Sequence, residues 1–421
     1  MIPGLRTAFR AGWLFAGALM VLGMDGLAQD WEVFNASGTG MLTDRVQAIA
    51  HDSAGNTWLG TDWGLYRFDG TTWETYLQGA SGLPENDVRA LACDHQGRVW
   101  VGMFTEGLAV FDGESWQHFP GGTENLPGSQ FKNITIDRWG YAWLATSGGV
   151  VRTDLEEWRV YTDTDESFNG QMLPGTNISD VAVREDGLVL VGTMNAGLVY
   201  LTDTSITVYN SFNIGLPDNT ALGVAIGQGG DRWLACPYGG AIRNFGDFQG
   251  GLWHHYLSDN SGLPSNALND VVIDAADRKI FALQAAGVAI LSGFNDWQVF
   301  NTGNSSLPSN EVLCLSLGND GTLWAGTADG GAARFDLFVG TADVTGIGAP
   351  RVFPNPTNGP LQVDPGGWLP GRWGIVDLTG REVISGIWRD GRIDLSGLPP
   401  APYLLHLTGS HGSASVRVLV K

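Results

Sequence analysis

The dipeptide Leu-Pro recurs at Leu83, Leu126, Leu173, Leu216, Leu263 and Leu307, at intervals of 43, 47, 43, 47 and 44 residues. A further copy starts at Leu42 without the proline, so seven copies fit between residues 41 and 336. In the first, "VQAIAHD", "NTWLGT", "GLYRFD" and "WETY" read as four short strands joined by "SAG", "DW" and "GTT". Runs rich in β-branched and aromatic residues, bounded by turn formers, make strands, and no window holds a helical period. One such unit cannot bury its apolar face alone, so copies must stack on one another. Four strands at a period of about 40–50 residues predict an all-β fold, a seven-bladed β-propeller. The alternative is a solenoid, whose repeats are usually shorter or helical.

The last copy lacks a strand. A W-x-x-F/Y pattern marks the fourth strand at Trp73–Tyr76, Trp116–Phe119, Trp158–Tyr161, Trp253–Tyr256 and Trp297–Phe300, with Ile206–Tyr209 in the fourth copy. The seventh copy runs from "AARFD" into "LFVGTADVTG" with no such strand, while "WEVF", Trp31–Phe34, stands alone before the first copy. The expectation is that this N-terminal strand closes the ring as the outer strand of the last blade. An open ring would leave its end blades short of a packing neighbour.

The unit "LPSNxVxxLxxDxxGxxWxGTxxGLxRFD" resembles the two-component-regulator propeller repeat over residues 30–336. The resemblance implies an extracellular recognition propeller of the kind found ahead of a membrane span and histidine kinase. Leu190 and Ile280 replace the second-strand tryptophan, and "ACPYGG" replaces "GTxxGL". No kinase-like or DNA-binding segment follows, so only the recognition role carries over. After a Gly-rich linker, 339–350, the tail holds "VFPNPTNGPLQVD", "GRWGIVDLTGREVISG", "IDLSGLPPAPYLLHLTG" and "ASVRVLVK". Residues 351–421 resemble the C-terminal sorting domain of type IX secretion cargo in Bacteroidetes-type bacteria. That resemblance implies a small Ig-like β-sandwich recognised by the secretion machinery.

The chain opens with Arg6 and Arg10, an apolar run from Ala11 to Met24, and small residues Gly26 and Ala28. Residues 1–28 read as a signal peptide, the run being shorter than the roughly 20 residues that span a bilayer. The propeller is assigned to 29–338, no membrane span is expected, and the mature protein is placed outside the cell or at its surface. Residues 1–28 carry +1 and 351–421 carry +2, so 29–350 holds −24 of the net −21. Such a surface repels phosphate backbones and makes nucleic acid a poor partner. Cys93, Cys236 and Cys314 lie in apolar runs and read as small core residues.

Eleven of the 17 tryptophans fall on the repeated second- and fourth-strand positions, where packing between blades explains them. Trp63 and Trp139 break the repeat, in loops at opposite ends of their blades. Strand order puts the strand 2–3 loops and the links to the next blade on one face. Those loops vary most: Asp62 and Trp63, Phe104 and Glu106, Met194 and Asn195, Tyr238, Gln284, and Asp329. A repeat that keeps its core and diversifies one rim behaves as a binding surface. Trp63, Phe104 and Tyr238 are candidates to stack on sugar rings or apolar groups, with Glu106 and Asp329 as acceptors. The bland reading is that these are ordinary loop residues.

No histidine spacing or nucleophile motif points to catalysis, and no metal or cofactor is expected. Glu106 and Asp329 form a candidate carboxylate pair only if the fold brings them together. "DTDESFNG", Asp163–Gly170, starts like a calcium loop but has Phe168 where that loop needs glycine. The expected function is recognition of an extracellular glycan, glycan fragment or peptide. A propeller lyase or hydrolase and a structural adhesion module are the alternatives.

Overall fold

The first three repeats each fold around an aspartate that ties the first turn to the second strand. In the first, Asp52 Oδ1 accepts the backbone N–H groups of Ala54 and Asn56, and its Oδ2 accepts the Trp58 indole N–H at 3.0 Å. Asp94 holds Trp100 at 2.8 Å and Asp137 holds Trp143 at 3.0 Å in the same way. A hydrogen bond from a buried indole to a carboxylate is worth about 1.5–3 kcal/mol. It also lets a tryptophan sit in the core with its one polar atom satisfied.

The computed structural model describes residues 31–164, 172–202, 204–245 and 252–337, and 351–421 except 356, 358, 365–370, 377–381, 390, 410 and 411. The expected signal segment, the linker 339–350 and most of Asp163–Gly170 lie outside the described residues. Among those described, residues 32–335 form seven four-stranded antiparallel sheets. The first comprises Val46–His51, Thr57–Thr61, Gly64–Phe68 and Trp73–Tyr76, in that order from inner to outer strand. Every second strand is buried along its whole length, as a strand packed on both faces must be. The inner strands contact one another in sequence, and Val46–His51 touches both Val88–Cys93 and Val312–Leu317.

The N-terminal strand Glu32–Phe34 pairs with Ala332–Phe335 of the last sheet, Glu32 opposite Arg334 and Phe34 opposite Ala332. Gly331 has φ +84°, and a Cβ there would strike the Phe34 carbonyl, so glycine is needed where the outer strand passes this close. Outer-strand tryptophans link six of the seven sheets to the one before, the fourth having Ile206 at that position. Trp73 packs on Phe34 (5.8 Å between ring centroids), Trp116 on Tyr76 (6.2 Å), Trp158 on Phe119 (5.3 Å), Trp253 on Tyr209 (5.6 Å), Trp297 on Tyr256 (5.7 Å) and Trp31 on Phe300 (6.0 Å).

One helical turn, Ala36–Thr39, has no counterpart in the sequence reading; Asn35 caps it through the Gly38 N–H, and Gly40 ends it at φ +80°. Four residues are too short for periodicity to register, and the caps carry it. In the tail, a three-stranded and a four-stranded sheet share one apolar core that includes Leu361, Ile375, Ile393, Leu405 and Val418. Among the described residues, no helix is long and apolar enough to cross a membrane.

Candidate functional site

Backbone hydrogen bonds fix where the strand 2–3 turns lie. Phe104 N–H donates to the Asp87 carbonyl at 3.1 Å, Met194 to Asn177 at 3.1 Å and Gln284 to Ala267 at 3.0 Å, each at the start of its own inner strand. The glycine after the turn then donates to the next sheet's link, as Gly64 to Asn86 at 2.8 Å and Gly240 to Asn266 at 3.1 Å. The turns and the links therefore share one face.

All nine sequence candidates sit on that face, but they differ in what they offer. Trp63 is 56% exposed and Tyr238 82% exposed, each with its backbone fastened: Trp63 N–H to Thr61 Oγ1 at 3.0 Å, Tyr238 N–H to Asp218 Oδ2 at 3.0 Å. Asn195, Asp329 and Glu106 are exposed; Met194 and Gln284 are half-buried. Two expectations need correction. Phe104 is not a free stacking surface, because the Arg89 guanidinium lies 4.5 Å over its ring. Asp62 is turned inward, with a buried Oδ1 that has no hydrogen-bond partner among the described residues.

The turns do not converge. Trp63 and Tyr238 belong to the first and fifth sheets, which are not neighbours, and Glu106 and Asp329 to the second and seventh, with the first sheet between them. Phe212, 93% exposed on the link between the fourth and fifth sheets, is a further aromatic on this face. Its signal was a phenylalanine among turn formers in "NSFNIG", off every repeated position.

The residues that do converge lie at the centre. Six of the seven inner strands carry a register shift one residue in, as between Val46 and Ala48 or Val88 and Ala90. A bulge re-aims side chains and breaks simple alternation. Gln47, Arg89, Lys132, Ser179, Asn269 and Leu313 occupy the extra position and line a cavity of ≈ 130 Å³. They stand near the start of the inner strands, on the side of the candidate turns. Cys314 packs against the apolar core around Val46 and Ile49 and also borders this cavity, and burial pushes its thiol pKa up, with the Asp270 charge adding to the rise.

Asp180 and Asp270 occupy the next position of their strands. Asp180 accepts the Val181 N–H at 2.7 Å and, from the following sheet, the Val224 N–H at 2.6 Å. Asp270 likewise accepts Val271 at 2.7 Å and Leu315 at 2.8 Å. Each carboxyl thus clips two sheets together. Burial, then the Asp270 charge, pushes the Asp180 pKa up to about 8 against the pull of its two N–H donors. Asp270 is also raised by burial. Lys132 is held below the usual range by desolvation and then by the Arg89 charge.

With this geometry in view, the chain can be set beside known proteins. A family model described as "two component regulator propeller" matches residues 82–105 and 306–329. No curated protein matches in sequence. In fold, the chain is similar to the extracellular domain of the hybrid two component system BT3049 from B. thetaiotaomicron, at TM-score 0.64 and 15% identity, covering 93% of this chain and 57% of that one. It is also similar to PorZ, a surface component of the type-IX secretion system of Porphyromonas gingivalis, at TM-score 0.58 and 18% identity over 92% and 60% of the two chains. Virginiamycin B lyase from Staphylococcus aureus matches at TM-score 0.58 and 14% identity, over 73% of this chain and 99% of that one. The chain spans less than two thirds of the first two relatives. At these identities the likenesses speak to the all-β, propeller-like fold alone.

Proposed function

We propose that this chain is an extracellular recognition protein whose seven sheets are the blades of a β-propeller closed by the N-terminal strand. It takes one end of a glycan, glycan fragment or peptide into the cavity at the channel mouth. The observation that carries this reading is that cavity, into which bulges on successive inner strands turn mainly polar side chains. A ≈ 130 Å³ space is below the roughly 300–1,000 Å³ of drug-sized pockets, so it suits a terminal ring or group. Exposed Trp63, Tyr238 and Phe212 on the same face then serve the rest of a longer ligand.

Export completes the proposal. Residues 1–28 act as a cleaved signal, 339–350 as a linker, and 351–421 as an Ig-like sorting domain read by type IX machinery. The protein ends secreted or at the cell surface. The tail's motif and its two packed sheets support this part.

The test is a glycan and peptide array probed with the full chain, each hit then measured by calorimetry against Leu313→Trp. That substitution fills the cavity from the seventh sheet's inner strand, and binding should vanish while the melting temperature holds. A hit that binds Leu313→Trp as tightly as the parent removes the cavity from the reading. A lyase or hydrolase acting on an extracellular polysaccharide is the second reading, favoured by two carboxyls of raised pKa near one cavity. Release of shortened product from a bound polymer would select it.

A further inference from the structure

We propose that the ligand of this cavity carries a carboxylate, received by Lys132 and the open edge of Arg89, and that an acidic sugar at the end of a glycan supplies it. The inference rests on the recognition reading above and narrows its ligand. Residues 29–350 carry −24, and an anion is repelled from most of such a surface. Yet two cations face the cavity from adjacent inner strands, at equivalent bulge positions.

Arg89 is held rigidly. Its Nε and Nη2 donate to the two oxygens of Asp87 at 2.6 and 2.7 Å, and its plane lies over Phe104. Nη1 has no hydrogen bond among the described residues, which leaves its N–H groups for a ligand. Lys132 is reachable from solvent at the cavity edge, where the walls still desolvate its ammonium, and none of the ion pairs among the described residues includes it. Two like charges brought together, one without a counter-ion, raise the energy of the empty site, and an anion placed between them relieves it.

The nearby aspartates do not oppose this. All four oxygens of Asp180 and Asp270 accept backbone N–H bonds, which turns them into the walls. Around the rim, the Gln47 amide donates to Asp87 at 3.0 Å and the Asn269 amide to the Val312 carbonyl at 2.7 Å. Each leaves a carbonyl oxygen to accept from a hydroxyl. A polar wall with hydroxyl acceptors fits a sugar acid better than the side chain of a peptide's last residue.

Calorimetry with the full chain would use matched tetrasaccharides ended by glucuronate or glucose and by galacturonate or galactose, and a tripeptide acid with its amide. A charge-assisted hydrogen bond of about 1.5–3 kcal/mol corresponds to a preference of about ten-fold or more for one acidic sugar end over its neutral partner. Lys132→Gln should erase that preference and Lys132→Arg should keep it, both melting like the parent. Equal binding of acid and neutral partners, or a preference that survives Lys132→Gln, overturns the carboxylate but leaves the recognition reading standing. Tighter binding of the tripeptide acid than of any sugar acid overturns the glycan assignment. Failure of every probe at millimolar concentration, in a protein that still binds array hits through the cavity, overturns the inference alone. Array hits that ignore the cavity overturn both.

Discussion

Removing the Trp31 indole isolates ring closure with the least other disturbance. The side chain is 4% exposed, with its ring 4.8 Å from Phe335 in the same sheet and 6.0 Å from Phe300 in the sheet before. The rest of the strand is held by its pairing with Ala332–Phe335 and by Phe34 against Trp73 and Trp324. The strand is three residues long, its Glu32–Arg334 ion pair is largely exposed, and Ser306 Oγ accepts the Trp31 N–H at 3.0 Å and donates to the Trp31 carbonyl at 2.8 Å. An exposed pair contributes at most about 1 kcal/mol. Truncating a buried tryptophan to alanine costs about 3–5 kcal/mol. Release of the strand would also free Phe34, stacked 5.1 Å from Trp324, so the upper end of that range is expected. At about 2–4 °C per kcal/mol for a large domain, Trp31→Ala should melt about 6–20 °C below the parent. Calorimetry gives the shift, and hydrogen exchange should show Ala332–Phe335 losing protection first. A permutant tests the converse: residues 31–35 moved behind Phe335 through a copy of the "DGTT" loop at 69–72, which joins the third and fourth strands of the first sheet. It should melt at or above the parent. Parent-like melting of Trp31→Ala, with unchanged exchange in Ala332–Phe335, would refute closure by this strand.

Trp58→Ala should cost about 3–5 kcal/mol, whereas Trp63→Ala and Tyr238→Ala should leave the melting temperature nearly unchanged and weaken ligand binding by about 1–3 kcal/mol. Equal destabilisation by Trp63→Ala and Trp58→Ala would make Trp63 a packing residue. The Asp180 pKa is raised on folding, so its contribution is complete below about 4 and is lost as pH climbs through about 8. Chemical denaturation across that window should register a loss of a few kcal/mol that Asp180→Asn flattens. His51 has the opposite sense: desolvation lowers it to about 4, so its contribution holds above pH 6.5 and is lost on acidification, by up to about 3 kcal/mol. His51→Gln should therefore unfold less readily than the parent near pH 4 relative to its stability at pH 7. Deleting 351–421 should stop surface display in a bacterium with type IX machinery, and persistent display would remove the sorting role.

The fold was largely legible because its determinants are local and repeated. A leucine before each inner strand, followed by proline in six of the seven copies, a first turn ending in glycine in six, a buried tryptophan in five and a glycine after the second turn recur with nearly the same spacing, each for a physical reason visible in one copy. Even the closing strand could be found by counting, since W-x-x-F/Y was missing at one end and surplus at the other. What the copies could not reveal was partnership. The pattern places Trp73 on an outer strand, but its packing on Phe34, which completes the last sheet, exists only once the first and last sheets stand side by side.

The same distinction explains why the rim was found and the cavity missed. Diversity among aligned turns can be read one copy at a time, and it picked out Trp63 and Tyr238. The cavity residues sit inside strands, where strict alternation would alternate Gln47, Arg89 and Lys132 away from the apolar positions beside them. Yet the large apolar residues fall three apart, not two: Val46 and Ile49, Val88 and Leu91, Phe131 and Ile134, Ile178 and Val181, Leu268 and Val271, Val312 and Leu315. A period of two cannot produce that spacing, and an inserted bulge residue does. The bulge was therefore written in the chain, and it marks each inserted side chain as free of the apolar packing. Its chemistry was not, because Gln47, Lys132 and Asn269 become one site only through the order in which seven inner strands surround a common axis.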